Sequence, residues 1–220
     1  MNEFDLWREK YESMTYAEQL DYHDSIESRF PEQAHYNYEQ VRNALLLAGE
    51  ELSVLEFGCW KADMAARAIE EFPGIKSWYG IEICRAAIEK TRCNSDKFHY
   101  IFPQRFDWFQ SDGKPLTIQV ETTEAGPAWL EFKPNIILAT HFIEHLSNPH
   151  FEALANFCVG TEWIYFEAPL MDVDREWQGY EGTHKLNYGW NNIVRIFAEK
   201  GYELVRKYPE AVILKKISNN

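Results

Sequence analysis

The 220-residue chain is poor in cysteine, poor in basic side chains and free of long apolar runs. Its four cysteines, Cys59, Cys84, Cys93 and Cys158, form no Cys-x-x-Cys pair and lie in apolar or helical stretches. That is the pattern of reduced thiols in a large core, so neither disulfides nor a structural zinc cluster is expected. No segment approaches the roughly 20 uninterrupted apolar residues of a membrane helix, and the opening MNEFDLWREK has neither the basic nor the apolar region of a secretion signal. A soluble cytoplasmic protein with no membrane partner is the expectation. Lysine and arginine number 22 against 35 aspartate and glutamate, and the net charge of −13 repels phosphate backbones, so no nucleic acid partner is expected. Low-complexity tracts and internal repeats are missing too. What is there is an apolar share of 45%, enough to build one large core.

Residues 1 to 50 read as helices without a strand, with an apolar series through Val41, Leu45, Leu46 and Leu47 that ends at Gly49. Five tyrosines and two histidines decorate this segment, which fits helix packing or a lid over a ligand. From Ser53 onward short apolar runs alternate with helical patterns, the signature of parallel strands joined by helical crossovers. The strands expected are SVLEF (53 to 57), SWYGIEI (77 to 83), FHYIF (98 to 102), PNIILAT (134 to 140) and EWIYFEAP (162 to 169). Helices follow between them, one with Met64, Ala65, Ala68 and Ile69 on a face and one around Phe151 and Leu154. A last helix with Ile193, Ile196 and Phe197 stops at Gly201 and leads into YELVRKY and AVILKKI, an antiparallel pair for a sheet edge. FDWFQ and LTIQV flank Ser111-Asp112-Gly113-Lys114, a hairpin signal inserted after the third strand.

Two constellations carry chemistry. In VLEFGCWKADMA (Val54 to Ala65) a strand ends in Glu-x-Gly just before a helix. Glycine at such a turn lets a ligand approach the backbone, and the helix start offers unpaired N–H groups. Glu82, at the end of the next strand, suits the two ribose hydroxyls of a nucleoside. The second constellation follows NIILA and reads Thr140-His141-Phe142-Ile143-Glu144-His145-Leu146.

Over roughly residues 53 to 217 these features resemble the class I S-adenosylmethionine (SAM)-dependent methyltransferases. The family's first motif is Asp/Glu-x-Gly-x-Gly-x-Gly, and this chain has Glu56-Phe57-Gly58-Cys59-Trp60-Lys61-Ala62. The resemblance implies that Gly58 and its neighbours Glu56, Cys59 and Trp60 face the methionine part of the cofactor and Glu82 with Ile83 its ribose and adenine, with Thr140 a further cofactor-binding residue. Trp60 replaces the middle glycine, and tryptophan does not take positive φ cheaply, so the loop is expected to differ or Trp60 to cover the cofactor itself. The second constellation resembles the phrase ending in Glu-His-Leu after the fourth strand of small-molecule O-methyltransferases. In the ubiquinone-pathway and small-RNA members a related motif binds a divalent metal. That resemblance names His141, Glu144, His145 and His184, the last within Glu181-Gly182-Thr183-His184, as ligands if a metal is present. The alternative is structural, with Glu144 capping its helix and His145 packed under the sheet. Read alone, His-x-x-Glu-His is also a metallopeptidase pattern, which requires both histidines on one helix.

The resemblance implies a Rossmann-like α/β fold with a seven-stranded sheet, its last strand antiparallel. An N-terminal helical cap (1–50) would precede a SAM-binding methyltransferase domain (51–220). The activity implied is methyl transfer to an oxygen or nitrogen of a small-molecule acceptor, with His141, then His184, as the base. The alternatives are a catalytically silent SAM-fold binding protein and a His-x-x-Glu-His metal hydrolase. The sequence leaves the oligomeric state open.

Overall fold

The computed structural model describes residues 13–15, 17–19, 21, 37–101, 103–106, 116–120, 128–132, 134–174 and 186–218. The elements are α1 (Tyr38–Ala48), β1 (Leu52–Phe57), α2 (Asp63–Glu71), β2 (Ile75–Ile81), α3 (Arg85–Glu89) and β3 (Phe98–Ile101). There follow β4 (Pro103–Phe106), β5 (Leu116–Val120), β6 (Ala128–Phe132), β7 (Ile136–Thr140), α4 (Asn148–Phe157) and β8 (Trp163–Glu167). The chain closes with α5 (Trp190–Glu199), β9 (Tyr202–Lys207) and β10 (Ala211–Lys216).

Seven strands form the main sheet in the order β3-β2-β1-β7-β8-β10-β9. β1 pairs in parallel with β2 and β7, β2 with β3, and β7 with β8, while β10 runs antiparallel to both β8 and β9. The seven-stranded sheet with an antiparallel last strand is therefore present, and β9 rather than β10 forms its edge.

Both faces of the sheet are covered, and the alternation of side chains shows how. Val54, Trp78, Ile136, Leu138, Tyr165 and Ile213 point to one side and pack with Val41 and Leu45 of α1 and Met64, Ala65 and Ala68 of α2. Leu55, Phe57, Ile137, Ile164, Phe166 and Val212 point to the other, against Phe151 and Leu154 of α4 and Ile193 and Phe197 of α5. Strands buried on both faces must be apolar at consecutive positions, which is why these segments read as continuous hydrophobic runs. No helix among the described residues is long and apolar enough to cross a membrane.

The third parallel strand is FHYI, as the sequence suggests. The insertion after it differs. It contains a separate three-stranded antiparallel sheet, β4-β5-β6, where a two-stranded hairpin is predicted. Its first strand is Pro103–Phe106 rather than FDWFQ, and its third, Ala128–Phe132, follows the turn dipeptide Gly126-Pro127 but is too short to stand out in the sequence. Residues 107–115, with the Ser-Asp-Gly-Lys segment, lie outside the described residues.

Candidate active site

The strand order reverses between β1 and β7, so crossovers leave these two strands in opposite directions and open a crevice beyond their C-terminal ends. Both sequence constellations meet there. β1 ends at Phe57 and β7 at Thr140, with Phe57 and Ala139 in register. Phe142 lies against the turn after β1, its ring 5.4 Å from that of Phe57, and a Cβ built on Gly58 would stand 3.4 Å from it.

The turn after β1 has positive φ at each of the three positions that the family motif assigns to glycine. Gly58 has φ +72°, Trp60 +49° and Ala62 +60°. The left-handed path is thus kept with two non-glycine residues, each at a cost of roughly 1–2 kcal/mol. Hydrogen bonds hold it. The N–H groups of Gly58 and Cys59 both donate to the Ile81 carbonyl, at 3.0 and 3.2 Å. The Trp60 N–H donates to Glu82 Oε2 at 2.9 Å, and the Tyr100 hydroxyl donates to the Trp60 carbonyl at 2.6 Å. Trp60 thus takes positive φ with its peptide held by the flanking Glu82 and Tyr100 side chains.

Below the turn, Glu56 and Cys59 are buried. Trp78 Nε1 donates to Glu56 Oε2 at 2.7 Å, yet burial dominates and pushes the Glu56 carboxyl up to about 8. Burial likewise pushes the Cys59 thiol far up, so this cysteine is an inert filler. It fits because β2 has a glycine beside it: a Cβ on Gly80 would come within 2.5 Å of Cys59 Sγ.

Glu82, which follows β2, has both carboxylate oxygens engaged by main chain. Oε1 accepts from the N–H groups of Ile83 and Cys84, both at 2.8 Å, while Oε2 takes Trp60. Burial raises its pKa and the three N–H donors pull it back. Next to it, Trp60, Ile83 and Met14 pack around Cys84 and Ala87 of the α3 region. Met14 arrives with a reciprocal cap: the Thr15 N–H donates to Glu18 Oε2 (2.7 Å) and the Glu18 N–H to Thr15 Oγ1 (3.3 Å). Cys84 Sγ lies 3.4 Å from Gln19 Oε1.

On the other side of the crevice, Thr140 is buried at the end of β7 and His141 turns the chain with φ +49°. The His141 N–H donates to the Glu167 carbonyl at 2.8 Å, and its Nδ1 stands 3.3 Å from Glu144 Oε1. Burial opposes the charged ring, but the hydrogen bond and charge of Glu144, with Glu167 and Glu210 behind it, outweigh burial and hold His141 above its ordinary value. Glu144 and His145 form a single 3-10 turn, Ile143–His145, ahead of α4, so Glu144 does not cap that helix. Its side chain is 2% exposed, and Oε2 has no hydrogen-bond partner among the described residues. His145 Nε2 is 3.9 Å from Glu144 Oε1.

Metal and peptidase readings depend on this same cluster. Among the described residues no three His, Cys, Asp or Glu side chains stand together as metal ligands, and His184 lies outside them. His141 precedes the 3-10 turn, so the helical spacing that a His-x-x-Glu-His peptidase requires is not formed. In the loop after β8, Asp172 and Asp174 serve the scaffold. Asp174 accepts from the Gly189 N–H (2.8 Å) at the start of α5 and from Asn192 (3.0 Å), and Asp172 pairs with Lys207. Sequence reasoning misses Tyr100, Phe142, Met14 and Gln19, whose relevance comes only from tertiary contacts.

A methyltransferase-domain family model matches residues 30–206, and the chain belongs to that family. Among solved structures it is similar to a SAM-dependent methyltransferase from Archaeoglobus fulgidus, with 16% identity and a TM-score of 0.61 over 89% of this chain and 100% of that one. It is also similar to the 1,6-didemethyltoxoflavin N1-methyltransferase of Burkholderia thailandensis, with 11% identity and a TM-score of 0.59 over 91% of this chain and 87% of that one. Human N-acetylserotonin methyltransferase in complex with SAM gives 12% identity and a TM-score of 0.61 over 93% of this chain, which spans 57% of that protein's length. No protein of curated function matches by sequence.

Proposed function

We propose that the chain binds SAM at the crevice between β1 and β7 and transfers its methyl group to an oxygen or nitrogen of a small-molecule acceptor, in the cytoplasm. Residues 1–50 would act as a cap on a cofactor domain of 51–220. The observation that carries this reading is the left-handed main chain at Gly58, Trp60 and Ala62, which keeps positive φ at all three motif positions with only one of the three glycines. A turn that had lost its ligand would have no reason to keep two strained residues. That argues against the catalytically silent alternative.

SAM supplies a methyl group already activated by its sulfonium, so the protein's share is alignment and a proton sink. Gly58 and its neighbours would receive the methionine part, with Glu56 and Cys59 supporting them from below. Glu82 and Ile83 would receive the nucleoside, and Thr140 would line the inner wall. His141, held through Nδ1 by Glu144, would use Nε2 to take the acceptor's proton; the cap and the loop after β8 would shut out water. His184 is the second base that the sequence offers. The Glu-His-Leu phrase, which resembles that of small-molecule O-methyltransferases, and the 1,6-didemethyltoxoflavin bound by the Burkholderia thailandensis neighbour support a small-molecule acceptor. If a divalent metal takes part, His141, Glu144, His145 and His184 are the residues that would hold it.

Calorimetry with S-adenosylhomocysteine (SAH), the product form of the cofactor, tests the proposal. Wild type should bind, and Glu82→Ala should lose roughly 1.5–3 kcal/mol, the value of hydrogen bonds to a charged group. No binding by folded wild type at millimolar SAH sinks it.

A further inference from the structure

We propose that Trp60 is an aromatic wall of the cofactor's nucleoside pocket and that Tyr100 is the positioning residue that makes a tryptophan possible there. The inference rests on the SAM-binding reading and names a residue pair that the family's glycine motif does not contain. Three observations converge on it.

The first is the main chain. At φ +49° Trp60 sits in a region that glycine occupies freely and a large side chain only at a cost, so something must hold it. Both of its peptide polar groups are held from outside the turn, the N–H by Glu82 from the end of β2 and the carbonyl by Tyr100 from β3. Those two strands lie side by side, with Gly80 and Tyr100 in register, so the two contacts grip the turn from one rigid support. Tyr100 is itself fixed by an edge-on contact with Phe98, at 4.7 Å between ring centroids.

The second is the place where Trp60 packs. Like Ile83 and Met14 it lies against Cys84 and Ala87, the apolar shelf that begins just after Glu82. The end of the second strand is where open α/β sheets hold a ribose, so the shelf beside Glu82 is where the base attached to that ribose must lie. A flat aromatic ring at the edge of an apolar shelf suits the π-face of a purine. The third is charge. Lys61 Nζ is 5.2 Å from the Trp60 ring centroid, a cation–π contact that steadies the ring from one side.

The test is a double-mutant cycle read by SAH calorimetry, tryptophan fluorescence and thermal unfolding of the whole chain. Wild type should show a fluorescence change on SAH addition that Trp60→Gly abolishes. Trp60→Gly should bind at least fivefold more weakly, because the turn already has its path and only the wall is lost, while Trp60→Phe should stay within about threefold of wild type. Tyr100→Phe should cost between about twofold and tenfold in affinity in the wild-type background and less than half that factor in the Trp60→Gly background, since glycine needs no clamp. A full fluorescence change in Trp60→Gly, or undiminished affinity of that variant, overturns the wall. Equal losses from Tyr100→Phe in both backgrounds overturn the clamp. If wild type binds no SAH, the proposed function and the wall fall together. The clamp is then judged on unfolding midpoints, where Tyr100→Phe must lower the Trp60 protein more than the Trp60→Gly protein.

Discussion

The two lips of the crevice are built on opposite principles. On the β1–β2 lip the polar groups of the turn find protein partners: Gly58 and Cys59 on Ile81, Trp60 between Glu82 and Tyr100, Ile83 and Cys84 on Glu82. On the β7 lip His141 keeps 39% of its side chain exposed and Glu144 carries a buried oxygen with no hydrogen bond among the described residues. A buried acceptor left unpaired costs roughly 1–3 kcal/mol, so the second lip bears a cost that the first avoids. A lip that is complete in itself suits a ligand of fixed shape. One with reactive groups in reserve suits a partner that completes it on arrival. On the proposed function, the difference suits the cofactor to the first lip and the chemistry to the second.

The largest expected effect attacks the second lip. His141→Gln should lower kcat by roughly 10²–10⁴-fold, the usual share of a general base, with SAH affinity unchanged. Because Glu144 holds the ring above its ordinary value and a base must be neutral to act, wild-type activity should climb with pH and reach half its plateau above that value. If His141→Gln instead weakens SAH binding at unchanged kcat, His141 belongs to the cofactor lip and the division fails.

The next effect is on the first lip. With Glu56 at about 8 in the folded chain against an ordinary 4.5, the native state keeps a proton between those values that the unfolded chain has released. Its contribution to stability is therefore complete below the unfolded value and is lost as pH rises toward 8, by an amount on the order of 4 kcal/mol. Glu56→Gln keeps an acceptor for Trp78 and removes the titration. Urea unfolding at pH 5 and pH 8 should show wild type losing stability over that interval and Glu56→Gln losing much less. Parallel losses would mean that Glu56 is ionised in the fold and that the first lip also carries an unpaid charge.

What the sequence reveals follows the same division. Strands buried on both faces need consecutive apolar residues, so SVLEF, NIILA and WIYFE are recognisable in the sequence, and so is the turn that follows the first. The Glu-x-Gly start is legible because glycine chemistry is local. The path through Trp60 is not, since what permits it, the hydroxyl of Tyr100 and the carboxylate of Glu82, comes from two other strands. β6 escapes for a related reason: Ala128–Phe132 is short and alternates no more clearly than a loop. Histidine and glutamate in the second constellation are visible as residue types, but the 3-10 turn that holds Glu144 and His145, with His141 ahead of it, has no sequence mark.

The smallest expected effect sharpens the contrast within the first lip, between its two non-glycine residues. Ala62 is fully buried and packs in the core beside α2, and its peptide groups bond to main chain, the N–H to the Cys59 carbonyl and the carbonyl to the Ala66 N–H, with no side chain among the described residues clamping them. Ala62→Gly would relieve roughly 1–2 kcal/mol of left-handed strain. Against that stand about 0.5–1 kcal/mol of extra chain entropy for glycine and about 0.8 kcal/mol for the lost buried methyl. These terms nearly cancel, so the unfolding midpoint should move by no more than a few degrees and SAH affinity should not change. Ala62→Val adds a β-branched side chain at positive φ in a filled core and should destabilise clearly, because nothing there can give way. A large gain from Ala62→Gly would show that strain at Ala62 is stored and not balanced by packing. The first lip would then owe its shape at both non-glycine positions to the ligand it holds, and the clamp at Trp60 would lose its special place.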